Sequence, residues 1–167
     1  LEKHFSVREN PRLGPNWYYY WLYCLGRVGL ASGRREFGGH DWYAEAAAEL
    51  RDTQNPDGSW GSADTVADTA LALLFLARGR SPVLVNKLRF QGNWNPRPRD
   101  CANLARWIQL TYEQPVNWQI LDTDSPLELW HEAPILYLSG AGPFTPSDEL
   151  IERFRLNPYA LEPRNPQ

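Results

Sequence analysis

The first third of the chain spaces its apolar residues with the period of an α-helix. From Trp17 to Val28, residues Tyr18, Trp21, Leu22, Leu25 and Val28 fall near one side, with Gly29 and Gly33 as stops. A second helix is expected after Asp41, whose carboxylate suits an N-cap. Tyr43, Ala46, Ala47 and Leu50 follow at i, i+3, i+4 and i+7, and the pattern ends near Thr53. A third helix runs from about Thr65 to Ala77 through VADTALALLFLA and halts at Gly79. Apolar on nearly every side, it is expected to lie buried between neighbours. Displacing the first helix by 50 residues sets Trp21 over Leu71, Leu25 over Phe75 and Gly29 over Gly79, a hint of repeated helix pairs.

Near Ser81-Pro82 the period changes. Pro82 to Phe90 (PVLVNKLRF), Val116 to Leu121 and Ala133 to Leu138 (APILYL) are expected as strands, Asp100 to Tyr112 and Thr145 to Phe154 as helices. In the last of these Thr145 suits the N-cap, Pro146 the first position and Asp148 the third. Strand, helix, strand, short helix, strand, helix predicts a parallel sheet of Rossmann-like kind with three strands. The fold class is therefore mixed. All-α helical hairpins fill residues 1–81, a partial α/β three-layer unit fills 82–156, and a proline-rich tail, 157–167, is expected to lack stable structure.

The connection between the second and third helices reads QNPDGSWG, Gln54 to Gly61. Pro56-Asp57-Gly58 is strong turn chemistry, with Gly58 free to take positive φ, and Gln54 and Trp60 flank it with an amide and an indole donor. Such a turn can tie one helix end to the next. The stretch resembles the QW motif of squalene-hopene cyclases and their terpenoid cyclase-like and prenyltransferase-like repeat relatives. In that motif a Gln, a Gly and a Trp at this spacing close successive helices of an α/α toroid. The resemblance implies that Gln54, Asp57, Gly58 and Trp60 are structural. Further on, GNWNPRPRDCANLARWIQ, NWQILD and APILYLSGAGPF are similar to the opening of the uncharacterised bacterial domain family DUF4159, over about residues 83–156. That family brings no established activity.

Composition excludes several classes. Hydrophobic residues at 43% against 22% charged, with eight Trp, eight Tyr and six Phe, are ample for a packed core and exclude wholesale disorder. A net charge of −3, with arginine pairs scattered at Arg34/Arg35, Arg78/Arg80 and Arg97/Arg99, gives no basic face for nucleic acid. No apolar run approaches the roughly 20 residues that span a bilayer, and LEKHFSVREN lacks a signal-peptide core. The absence of methionine, even at position 1, suggests an internal piece of a longer polypeptide. Cys24 and Cys101 sit in apolar helical contexts and are expected as buried thiols rather than as a disulfide or metal ligands.

Catalytic chemistry finds little support. Cyclases that protonate squalene use an acidic DxDD cluster. DTVADTA here holds Asp64 and Asp68 with no acidic pair between, so Asp68 is expected as a carboxylate at a helix start. The zinc of prenyltransferases needs a thiolate close after an aspartate, and Ala70 stands two residues beyond Asp68. His4, His40 and His131 lack metal spacing. No catalytic residue, metal or cofactor is assigned. Asp122 and Asp124 follow a strand and could hold a divalent cation, although a turn is the expected role. Ser139, Gly140 and Gly142 could bring amides near an anion. The loop lacks the third glycine of a dinucleotide fingerprint, however, Pro143 deletes a donor, and Ser139 lacks a GxSxG setting. Trp17, Tyr18, Tyr19, Tyr20 and Trp21 could stack on a sugar or line a hydrocarbon cavity, or simply pack between helices.

The expected role is a non-catalytic scaffold or binding module, with the remainder of its own longer chain, another protein or a hydrophobic small molecule as partner. Two alternatives stand beside it. One is part of a squalene-hopene-cyclase-like lyase or isomerase whose acids lie outside this chain. The other is a truncated α/β nucleotide-binding or hydrolase-like domain.

Overall fold

Helix α1 (Tyr18–Ser32) runs through Gly29 and stops at Gly33, which takes φ 65°. Gly29 is no stop because packing requires it: a Cβ there would overlap the Trp42 indole. This computed structural model describes residues 2–79 and 81–156, so the expected tail at 157–167 lies outside the described residues. The chain divides into two compact units, Leu1–Ser81 and Pro82–Gln167. Together their described residues form six α-helices, a three-stranded parallel sheet and a small antiparallel pair.

In the first unit, strands β1 (Glu36–Phe37) and β2 (His40–Asp41) form a hairpin that the sequence reading missed. Gly38 and Gly39, at φ 63° and 82°, make its two-residue turn, a conformation glycine adopts without steric cost. Helix α2 (Trp42–Asp52) starts where the sequence indicates, because Asp41 Oδ1 accepts from the amides of Tyr43 at 3.1 Å and Ala44 at 2.9 Å. Helix α3 spans Thr65–Gly79. Leu22, Leu25, Trp42, Ala46, Leu50, Trp60, Ala72 and Phe75 make most of the core.

The expected burial of α3 needs correction. The apolar helix α3 buries one stripe, Ala72 and Phe75, while Val66, Leu73 and Leu74 are exposed, Val66 by 80%. Toward α1 and α2 it also sets Leu76 against the core and Gly79 beside Tyr43, whose hydroxyl donates to Leu76 O at 3.0 Å. Of the five consecutive aromatics, Tyr18, Tyr19 and Trp21 pack against the core. Trp17 and Tyr20 are exposed, whereas the Tyr18 hydroxyl donates to Val7 O at 2.6 Å and the Trp21 indole to Ser6 O at 2.9 Å.

The second unit is built on strands β3 (Val83–Arg89), β4 (Asn117–Asp122) and β5 (Ile135–Tyr137), in the spatial order β4-β3-β5 and parallel throughout. Helix α4 (Asp100–Tyr112) connects β3 to β4, and the short α5 (Leu127–Trp130) connects β4 to β5. Val85 packs with Cys101 and Ala105 of α4, while Leu88 packs with Trp130 of α5 and Leu150 of α6 (Asp148–Arg155). Helices therefore cover both faces, and the central strand β3 is buried on both, as parallel sheets require. Helix α6 begins later than expected. Its N-cap is Ser147, whose hydroxyl accepts from Leu150 N at 3.2 Å, in place of Thr145. Starting there puts Leu150 into the core and Asp148 and Glu149 in the first turn, where carboxylates meet the positive helix end.

Candidate functional site

Central strand β3 carries two polar residues, Asn86 and Lys87, through the middle of the sheet, and both are buried. Alternation sends them to opposite faces. Lys87 is 1% exposed at its side chain, and a buried ammonium needs partners for its protons. It finds them in the connection to α4: Asn95 Oδ1 at 2.7 Å, Asp100 Oδ1 at 2.6 Å and Arg97 O at 3.4 Å. The rings of Trp94 and Tyr137 each lie 5.7 Å from Nζ, within range of a cation–π contact. Tyr137 is the register partner of Lys87 on β5. The cluster thus sits where the chain leaves β3 toward β4 on one side and returns as β5 on the other, the switch point at which open α/β sheets hold ligands.

Asp100 is the first residue of α4, and its Oδ1 also accepts from Cys101 N at 2.6 Å. Burial alone would raise its carboxyl, but the Lys87 ammonium and the Cys101 amide outweigh burial and hold it below the usual range. Its other oxygen, Oδ2, is buried without a hydrogen bond of ordinary geometry, although the Tyr137 hydroxyl is near enough to interact with the carboxylate. Burial first, then the Asp100 charge, raises the Tyr137 phenol. The same two causes push the Cys101 thiol up to about 12, so it is an inert sulfhydryl. On the opposite face Asn86 donates to the carbonyls of Leu129 at 3.0 Å and Trp130 at 3.2 Å, and accepts from Gln119 Nε2 at 2.9 Å. Sequence reasoning missed this whole set. The available signal was a lysine and an asparagine inside an otherwise apolar strand.

The QNPDGSWG turn joins the helices of the first unit through some of its residues. Trp60 is 4% exposed, and its indole donates to Leu50 O at 2.7 Å while its own amide donates to Thr69 Oγ1 at 2.9 Å, linking the end of α2 to α3. Gly58 takes φ 87°. Gln54 is exposed and donates to Gly58 O at 2.9 Å, so it closes the loop on itself and does not reach the next helix. Asp57 accepts from the hydroxyl of Ser59 at 2.7 Å and its amide at 3.0 Å, which lowers its carboxyl. Asn55, which the sequence reading did not single out, does reach further, donating to Gly61 O at 3.1 Å.

The remaining candidates disperse. Asp122 forms a two-pronged ion pair with Arg89, and its amide donates to Ser125 Oγ at 3.0 Å, which makes a turn in place of a cation site. Asp124 is exposed. The Ser139 hydroxyl donates to Trp94 O at 2.8 Å and the Ala141 amide to Asn93 O at 3.1 Å, so this loop spends its donors on the 93–94 segment. Gly140 lies against Phe90, Gly142 takes φ 131°, and α6 starts only at Asp148, so the glycines do not form a helix N-terminus. Asp64 caps α3 through Ala67 N at 3.2 Å, whereas half-buried Asp68 is raised by burial and by Asp64. His40 pairs with Glu45 at 3.0 Å and stacks on Phe5. Among the described residues no group of His, Cys, Asp and Glu is arranged to hold a metal, and no helix is long and apolar enough to cross a membrane. Cys24 and Cys101 are free thiols, the first half-buried and the second buried. Compared with protein-family models, curated proteins and solved structures, the chain has no match.

Proposed function

We propose that the chain is a non-catalytic scaffold or binding module, made of terpenoid-cyclase-like α/α-toroid helices followed by a partial Rossmann-like unit that resembles DUF4159. The observation that carries this reading is Trp60, whose indole and amide are both spent on joining two helices. The 50-residue offset adds support. Leu25 and Phe75 share one core, and Gly29 and Gly79 each abut an aromatic ring of α2, Trp42 and Tyr43. In the α/β unit the polar side chains are likewise engaged with one another, as Lys87 with Asp100 and Arg89 with Asp122. Its partners in this reading are the remainder of a longer chain, another protein or a hydrophobic small molecule.

The alternative of a squalene-hopene-cyclase-like lyase or isomerase keeps its acids outside this chain. Within the chain, Asp68, raised by burial and by Asp64, is the carboxylate to test. Incubating the purified chain with squalene and with polyprenyl diphosphates, and analysing the products by gas chromatography–mass spectrometry, separates the readings. No turnover is expected. Cyclic product that disappears in Asp68→Asn would overturn the scaffold and establish the enzyme.

A further inference from the structure

Around the buried Lys87 side chain an amine, a carboxamide and a carboxylate meet, a juxtaposition that does not depend on the toroid reading. Nζ lies 2.7 Å from Asn95 Oδ1 and 2.6 Å from Asp100 Oδ1. The geometry points to a covalent Lys87–Asn95 isopeptide cross-link that ties central strand β3 to the loop after it, with Asp100 carrying the protons.

The chemistry balances within the chain. A proton passes from the Lys87 ammonium to the Asp100 carboxylate across their hydrogen bond. The neutral amine then attacks Asn95 Cγ, the Nζ–Cγ bond forms, and the Cγ–Nδ2 bond breaks. The departing nitrogen takes one proton from Nζ and one from Asp100 and leaves as ammonium, which returns Asp100 to its carboxylate. No oxidant or other reactant is consumed. Burial of the Lys87 side chain, 1% exposed, makes the first transfer accessible, because an ammonium loses its hydration there. Asp100 Oδ2, buried and near the Tyr137 hydroxyl but without a hydrogen bond of ordinary geometry, is a place for the proton in transit. Asn95 is the electrophile and Asp100 is not, since a carboxylate resists attack while a carboxamide can release a neutral amine.

The sequence adds a second argument. Asn95 precedes Pro96, which has no backbone N–H, so the ordinary loss of ammonia from asparagine by attack of the following amide is closed. Loss at this position requires another nucleophile, and Lys87 Nζ touches the group. Trp94 and Tyr137 favour the ammonium over the amine, so the attacking species is a minor one and the reaction is a slow, single event of maturation.

Intact mass spectrometry of the denatured full chain, fresh and after prolonged incubation at growth temperature, tests the proposal. The expected result is a deficit of one ammonia that grows with time, with two peptides remaining joined after cleavage at Arg89. Lys87→Arg keeps the charge but removes the primary amine, and Asn95→Ala leaves no ionised group newly unpaired. Both should restore the full mass, with the fold checked by circular dichroism. Asn95→Asp puts a carboxylate, which resists attack, where the carboxamide was and should likewise show no deficit. Full mass in the native chain at every time, or a deficit that persists in Lys87→Arg, overturns the cross-link.

Discussion

Replacing Trp60 with alanine probes the helix junction at its most buried point. The indole donates at 2.7 Å to Leu50 O, near the end of α2 where helical carbonyls lose their intrahelical partners. Two losses follow. Truncating a buried tryptophan costs about 3–5 kcal/mol in transfer energy and cavity. Leaving the Leu50 carbonyl without its donor costs about 1–3 kcal/mol, reduced to the extent that water enters the cavity. Because water that satisfies the carbonyl also fills part of the cavity, the two overlap, and a total of about 4 kcal/mol is expected. Trp60→Phe keeps most of the ring, removes the donor, and should cost about 1–2 kcal/mol. Urea unfolding followed by circular dichroism measures both, with limited proteolysis to report which of the two units opens, since they need not unfold together. A loss below about 0.5 kcal/mol in the alanine variant would place the indole on a surface loop and refute the junction.

Four further outcomes are expected. Gly29→Ala would add about 1 kcal/mol on an open helix face, but here the Cβ meets the Trp42 indole, which is pinned to Arg34 O at 2.7 Å, so thermal melting should show a loss of about 1–3 kcal/mol. A gain in melting temperature would mean that the indole yields. Asp100 has a depressed folded pKa, so its contribution is full above the unfolded carboxyl value near ~4 and is lost as pH falls through the lower folded value. Asp100→Asn should flatten that acid limb in a stability–pH profile, and an unchanged limb would show that the Lys87 pair does not carry it. Asp68 has the opposite sign: its raised value means that ionisation disfavours the fold, so Asp68→Asn should leave stability equal or higher at neutral pH, and a clear drop would contradict this. Arg89→Ala removes an ion pair exposed by more than a third on both sides and should cost less than about 1 kcal/mol in urea unfolding, whereas a larger cost would give the pair a structural role.

What the sequence made legible was local. Asp41 before a 3.6-period run marks the start of α2, and short apolar runs mark β3, β4 and β5, because caps and alternation are written within a few residues. Features decided by distant partners were not. Gly29 looks like a stop until Trp42 is known to lie against it. Thr145 and Ser147 are equally good caps by type, and the choice rests on placing Leu150 in a core made by α5 and the sheet. The β1–β2 hairpin escaped because two-residue strands carry no period. Gln54 and Trp60 look symmetrical in the turn, yet one is exposed and the other buried, a difference set by the hole between α2 and α3. The cluster around Lys87 stayed hidden because its meaning depends on β3 being the central strand, and strand order is a property of the crossovers.

That dependence also explains why two polar residues are tolerated at the centre of the sheet. Asn86 and Lys87 are adjacent in sequence and face opposite layers, each held by the connection that covers its own face. Lys87 is bonded to the 95–100 segment leading into α4, and Asn86 to the last carbonyls of α5. A slip of β3 by one residue would exchange them, bringing the ammonium against the core of Leu121, Trp130 and Leu150 while leaving Asp100 without its countercharge. A uniformly aliphatic strand would carry no such distinction between its faces, since Val and Leu pack against either helix layer. The buried polar pair therefore selects one register and one assignment of crossovers to faces, and it does so by the cost of the alternatives more than by the strength of its own bonds.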